Sequence, residues 1–134
     1  MNTIPFKIKH LARKTWKPLI ANGDGLPSAS KFSGKPWLGK NEQWPECPNC
    51  GKTMQLFLQL DLAQLPEPVR DEFGSGILQM FYCTNSDPLC EVECKAFFPF
   101  AKSEMLRIVQ PDGKSHDAEI SETAHFFPAR LIVG

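Results

Sequence analysis

Cys47-Pro48-Asn49-Cys50-Gly51 places two thiols three positions apart on a segment that must turn sharply. Thiolates at that spacing can reach one cation, each sulfur about 2.3 Å from it. Gly51 lets the backbone double back, so amide N–H groups can face the sulfurs. A lone CxxC is a weak signal, but Cys83, Cys90 and Cys94 follow it. Four thiolates around one ion leave no open coordination position, so the chemistry on offer is structural. Such a site contributes on the order of 10 kcal/mol to folding. Zinc is the expected ion, and iron suits the same donors. A thioredoxin-type redox pair needs its CxxC at the start of a helix after a strand. The residues after Cys50 read as a strand, which weighs against redox chemistry. Unliganded core cysteines are the plainer alternative.

The site depends on the elements that carry the sulfurs. Met54, Leu56, Leu58, Leu60 and Leu62 alternate with Gln55, Phe57, Gln59 and Asp61, a strand with one apolar face. At about 3.3 Å per residue it runs roughly 30 Å away from the knuckle. Leu65-Pro66-Glu67-Pro68 ends it. Residues 69–73 form a helical turn, and Gly74-Ser75-Gly76 reverses the chain. Ile77 to Cys83 is apolar nearly throughout, a strand buried on both sides. An antiparallel pairing of 54–62 with 77–83 brings Cys83 back to Cys47 and Cys50. The fourth ligand is Cys90 or Cys94. The turn-rich Thr84–Leu89 stretch can fold Cys90 back, whereas Cys94 is in phase with Val92, Ala96 and Phe98 on the apolar face of a strand. Cys90 is favoured, giving Cys47, Cys50, Cys83 and Cys90 as the expected metal ligands.

Two further strands are expected, at 106–109, ended by Pro111-Asp112-Gly113, and at 126–133. The chain stops inside the second, which reads as truncated or paired with something outside it. Residues 1–45 are loop-like with short extended pieces, broken at Asn22-Gly23-Asp24-Gly25, Ser33–Trp37 and Gln43-Trp44-Pro45. The expected fold is mainly β (β-rich α+β), one domain over 1–134, an antiparallel sheet with a zinc-ribbon-like four-cysteine site. At 134 residues the chain is long enough for an ordinary core.

The 15 basic and 15 acidic residues cancel but are segregated. Residues 1–41 hold eight cations (Lys7, Lys9, Arg13, Lys14, Lys17, Lys31, Lys35, Lys40) against Asp24 alone, leaving seven basic and fourteen acidic residues for the rest. A basic strand lying across an acidic body accounts for this, and a nucleic-acid-binding arm is the alternative. No apolar run spans a bilayer and no signal-type stretch opens the chain. A cytoplasmic location and no membrane partner are therefore expected, and five cysteines in a reducing compartment are not expected to form disulfides. His10, His116 and His125 are isolated, and Glu91 and Glu93 read as a solvated strand face. No phosphate loop, serine elbow or HExxH is present, so no enzyme is expected.

Ser30–Trp37, Trp44-Pro45, the Cys47–Gly51 knuckle, Met54–Leu62 and Gly76–Cys83 form an ordered set. It resembles the YwqG-like bacterial family of unknown function and is distantly similar to the programmed-cell-death-2 family. The resemblance spans roughly residues 12–133 and implies a β-rich fold stapled by these cysteines, with no established catalysis. It also implies a protein-holding, chaperone-like role by analogy with the eukaryotic family. This sequence departs from the pattern by stopping at Arg130–Gly134, where the family continues with a tryptophan and another β-rich portion. The expected function is thus a zinc-stabilised, non-enzymatic protein-interaction module with a protein partner. The alternative is a zinc domain that binds nucleic acid through its basic N-terminal segment.

Overall fold

The computed structural model describes residues 5–86, 90, 98, 100–117 and 127–134. Six strands form one antiparallel sheet: β1 (Ile20–Asn22), β2 (Lys31–Phe32), β3 (Gln55–Asp61), β4 (Ile77–Tyr82), β5 (Glu104–Val109) and β6 (Arg130–Ile132). Their spatial order is β1-β6-β2-β3-β4-β5. The β3–β4 hairpin expected from alternation is its centre. β1 and β2 were not anticipated as strands, because two or three residues cannot display a period of two. The C-terminal run is not left open in the sheet, since β6 pairs with both β1 and β2. Of the expected strand at 92–98 only the exposed Phe98 is described, and the rest of it with Cys94, as well as Glu91, Glu93 and His125, lies outside the described residues.

The connection after β3 differs from expectation. Leu62–Gln64 forms a 3-10 turn, capped where Asp61 Oδ1 accepts from Ala63 N at 3.0 Å. The helical turn is α1 (Glu67–Arg70), two residues earlier than 69–73, because Pro68 sits in its first turn. Proline's fixed φ and missing N–H suit that position. The N-terminal segment departs further. Phe6–Leu11 is a 3-10 helix with no buried residue, and 5–17 are exposed throughout, so no basic strand crosses the body there. Among the described residues no helix is long and apolar enough to cross a membrane.

One irregularity governs the sheet. Leu56 pairs with Phe81, but Leu58 pairs with Met80, so Phe57 is an extra residue, a β-bulge. The bulge is held by Ser33 N donating to Phe57 O at 3.1 Å. It inverts the strand's facing, and the single apolar face read from the sequence does not exist. Leu56 faces the core with Phe81, whereas Gln59 faces it with Gln79, and Leu58 and Leu60 turn to the other side with Met80 and Leu78. On β4, Ile77, Gln79 and Phe81 are buried while Leu78, Met80 and Tyr82 are half-buried, so the strand is covered fully on one face only.

The inner face is consequently polar at its centre. It carries Lys31, Gln59, Gln79 and Arg107 in adjoining cross-strand positions. A layer of loop covers it, and loop backbone needs partners. Gln59 Nε2 donates to Pro27 O and Ala29 O, both at 2.8 Å, while its Oε1 accepts from Trp37 N at 2.9 Å. Gln79 Nε2 donates to Trp37 O at 2.7 Å and to Gln59 Oε1 at 2.9 Å, and Arg107 Nε donates to Gln79 Oε1 at 2.9 Å. Arg107 also pairs with Glu42 and lies over the Phe81 ring. Beside this network, Lys31 is fully buried, its Nζ 2.6 Å from Asp24 Oδ1 and 2.8 Å from Lys35 O. Gly34, at φ +81°, makes room: a Cβ there would come within 2.5 Å of Asp24 Oδ1.

The outer face has the opposite character. Register places Ile20, Ile132, Phe32, Leu58, Leu60, Met80, Leu78, Leu106 and Ile108 on it, from one edge strand to the other, together with the polar Asn22, Arg130, Gln55 and Glu104. None of the nine apolar side chains is fully buried, and Ile20, Leu106 and Ile108 are 53%, 64% and 47% exposed.

Candidate metal centre

The Cys47–Gly51 knuckle is closed by Gly51 N donating to Cys47 O and Cys47 N donating to Lys52 O, both at 2.8 Å. Gly51 supplies the turn with φ +74°, a conformation a side chain resists. Met54 N then donates to Pro45 O at 2.9 Å, which commits the chain to β3. Cys83 follows β4 directly, and its N–H donates to Ser103 O at 2.8 Å just before β5 begins. Cys90 N donates to Asn85 O at 3.1 Å, so the short loop after Cys83 carries the fourth thiol back. The hairpin and this loop together deliver sulfurs from three parts of the chain to one place.

The Sγ atoms of Cys47, Cys50, Cys83 and Cys90 all lie within 4.8 Å of one another. Cys47 Sγ and Cys90 Sγ are 3.5 Å apart, and Cys50 Sγ and Cys83 Sγ are 3.6 Å apart. Sulfurs about 2.3 Å from a tetrahedral ion stand about 3.8 Å from each other, so the spacing suits a metal and is too long for disulfides. Cys47, Cys83 and Cys90 are buried and Cys50 is half-buried. Met54, Leu56 and Phe81 pack with the three buried thiols, and Met105 closes the cluster from β5. Asn49 Nδ2 donates to Cys90 Sγ at 3.4 Å, a donor that would help neutralise thiolate charge.

Burial pushes the Cys83 thiol far above the ordinary range, and the neighbouring thiols of Cys50, Cys90 and Cys47 add to this. Burial also raises Cys47, against hydrogen bonds from backbone N–H groups of its own turn. For Cys50 burial is outweighed by the Lys52 backbone N–H and by surrounding side chains, so its thiol is lowered. Buried thiols resist charging where only apolar groups surround them, and a divalent cation inverts that preference. An all-sulfur donor set fits zinc and also iron. Among the described residues no carboxylate or imidazole joins the four sulfurs. His10 is exposed and His116 donates its backbone N–H to Leu38 O at 2.8 Å; neither takes part.

Sequence reasoning missed Asn49 as a donor to sulfur, although its place inside the knuckle was a signal. It also missed the outer sheet face, which appears only once the bulge is known. Two cavities open on that face. One, of about 470 Å³, adjoins the cysteine end and is lined by Phe57, Met80, Tyr82 and Phe127 among others. The second, of about 780 Å³, has Phe32, Leu58, Leu60 and Ile132 within its lining.

A family model described as a domain of unknown function, DUF1963, matches residues 30–123. No curated protein matches the chain. The matched segment contains all five cysteines and β2 to β5, and leaves the basic arm, β1 and β6 outside it.

Proposed function

The chain belongs to the DUF1963 family, and from that premise we propose that it is a zinc-stabilised protein-interaction module that performs no catalysis. The observation that carries the reading is the outer sheet face, which carries nine apolar side chains between β1 and β5 and is incompletely covered. Apolar surface of that extent on one face marks a docking surface for protein. The four-cysteine cluster fixes the hairpin that supplies the middle of this face, so the ion acts as a fold element of zinc-ribbon-like kind. The resemblance to the YwqG-like and programmed-cell-death-2 families supports a chaperone-like, protein-holding role.

Elemental analysis of the purified protein tests the metal, with one zinc per chain expected. Capture from a native lysate tests the docking face, comparing the wild type with a Leu106→Glu/Ile108→Glu variant. Both side chains are exposed, so the variant retains the fold. Specific partners should be retained by the wild type and lost by the variant. Equal recovery by both, or none above background, removes the reading.

The second reading, nucleic-acid binding by the basic segment, rests on the exposed 5–17 arm with Lys7, Lys9, Arg13 and Lys14. Two of the eight cations counted in the sequence are engaged elsewhere: Lys31 is buried against Asp24, and Lys35 pairs with Asp117 at 3.2 Å. Salt-dependent RNA or DNA binding that weakens when the four arm cations are neutralised is its expected signature. No affinity at low salt ends it.

A further inference from the structure

Two surface features of this chain lack an intramolecular partner among the described residues. One is the arm. Phe6 is 91% exposed, Ile8 49% and Leu11 59%, and they alternate with Lys7, Lys9, His10, Arg13 and Lys14 in a stretch without a single acid before Asp24. The other is the larger groove on the outer face, of about 780 Å³, floored by Phe32, Leu58, Leu60 and Ile132. Asp61 lines it, and the exposed Glu67 follows its wall residue Pro66.

The apolar side chains of the arm match the apolar floor of the groove, whose lining holds one acid, Asp61, and one cation, Lys17, with Glu67 next to it. Charge complementarity lies in the body as a whole, since residues 42–134 contain fourteen acids and seven cations against the acid-free arm. We infer that the groove of one copy receives the Phe6–Leu11 segment of a second copy, in a reciprocal two-fold dimer. This deepens the docking-face reading above and rests on it.

The geometry favours the second copy over the chain's own arm. Trp16, Lys17 and Pro18 already form part of the groove wall. The arm's root is pinned there by Leu19 N donating to Gly134 O at 2.7 Å and Val133 N donating to Leu19 O at 2.8 Å. To enter its own groove the arm would have to reverse at Trp16, and no glycine lies between Pro5 and Asn22 to make a tight reversal. An arm that leaves the rim of one groove and enters another satisfies both surfaces twice in an isologous contact. Coulombic attraction between arm and body is exposed and so is screened by salt.

Sedimentation equilibrium of the full chain tests this, with two variants. Phe6→Ser/Ile8→Ser/Leu11→Ser alters only exposed arm residues. Leu26→Lys places a cation in the groove lining at a residue 74% exposed, so folding is not at stake. The wild type should show a monomer–dimer equilibrium that weakens at high salt. Each variant should dimerise at least about tenfold more weakly. An equimolar mixture of the two variants should regain part of the association, because one intact arm then meets one intact groove. A wild type that stays monomeric at about 100 μM overturns the inference, and so does a dimer indifferent to both variants. A monomer whose arm binds anionic vesicles or RNA instead overturns it too. Monomeric protein that still captures partners through Leu106 and Ile108 would sink the dimer while leaving the docking-face reading standing.

Discussion

Replacing any one of the four clustered thiols leaves three donors, and the position of each in the fold sets the cost. Cys83 and Cys47 are buried beside Phe81 and Leu56, so Cys83→Ser or Cys47→Ser removes a ligand and also leaves a hydroxyl in apolar surroundings. Each should abolish metal retention in the purified protein and lower stability by about 4 kcal/mol or more, read by denaturant titration. Proton linkage gives a second test. In the metal-free protein, burial holds Cys83 and Cys47 above the ordinary thiol value of 9.0, so the folded chain keeps protons that the unfolded chain releases. That stabilisation is complete below pH 9.0 and is lost as pH rises. Cys50 opposes it, but from a half-exposed position. With zinc bound the slope reverses, because the folded chain then holds thiolates and the unfolded chain takes up protons as pH falls. Melting temperature against pH, with and without zinc, should therefore fall toward the alkaline side in one case and toward the acid side in the other. The convergence of Cys83 on the Cys47–Cys50 turn was legible in the sequence, because strand length and turn position fix where a hairpin ends. The Asn49 contact with Cys90 was not, because it depends on where the loop after β4 returns.

At the scale of the elements, the bulge at Phe57 decides what each face of β3 contains. Deleting Phe57 closes the bulge: Leu56 and Leu58 then follow one another opposite Phe81 and Met80, and Leu58, Gln59 and Leu60 keep their faces. What is lost is the Phe57 carbonyl that accepts from Ser33 N, and leaving that donor of a buried residue unpaired should cost about 1–3 kcal/mol. Phe57→Ser keeps the residue count and alters only a side chain that is 49% exposed, so its cost should stay within about 1 kcal/mol. Comparable destabilisation by both changes would show that the aromatic ring matters and the extra residue does not. The existence of β3, β4 and β5 followed from periodicity. Their facing did not, because five leucine-type positions in alternation look the same with or without one inserted residue. Buried glutamines are likewise invisible to a pattern that assigns polar residues to solvent. They belong inside because the covering layer is loop, whose backbone groups the sheet must satisfy.

For the molecule as a whole, the sheet's covered face is polar and its open face mainly apolar. The covered side is specified by directional contacts among Lys31, Asp24, Gln59, Gln79 and Arg107. The cysteine cluster anchors the other end of the same hairpin. On the proposed reading that the cluster holds zinc, a strong chelator should abolish cooperative melting or lower its midpoint by more than about 10 °C, and added zinc should restore it. A metal-free protein that melts cooperatively at an unchanged temperature would dismiss the cluster as a fold element. Charge segregation was plain from composition. The partner of the cations was not, since Lys31 finds Asp24 only seven positions away and, among the described residues, no acid pairs with the arm.

Pulled from its two ends, a chain with an ion across these sulfurs would yield in a set order. Cys47 and Cys90 lie 43 positions apart with β3 and β4 between them, so a bridging ion turns that stretch into a closed loop that tension cannot reach. The flanking segments would extend first. A further release of roughly 15 nm of contour length, at about 3.5 Å per residue, would come only when a metal–sulfur bond ruptures. Single-molecule extension in the presence of a chelator should lose that late step.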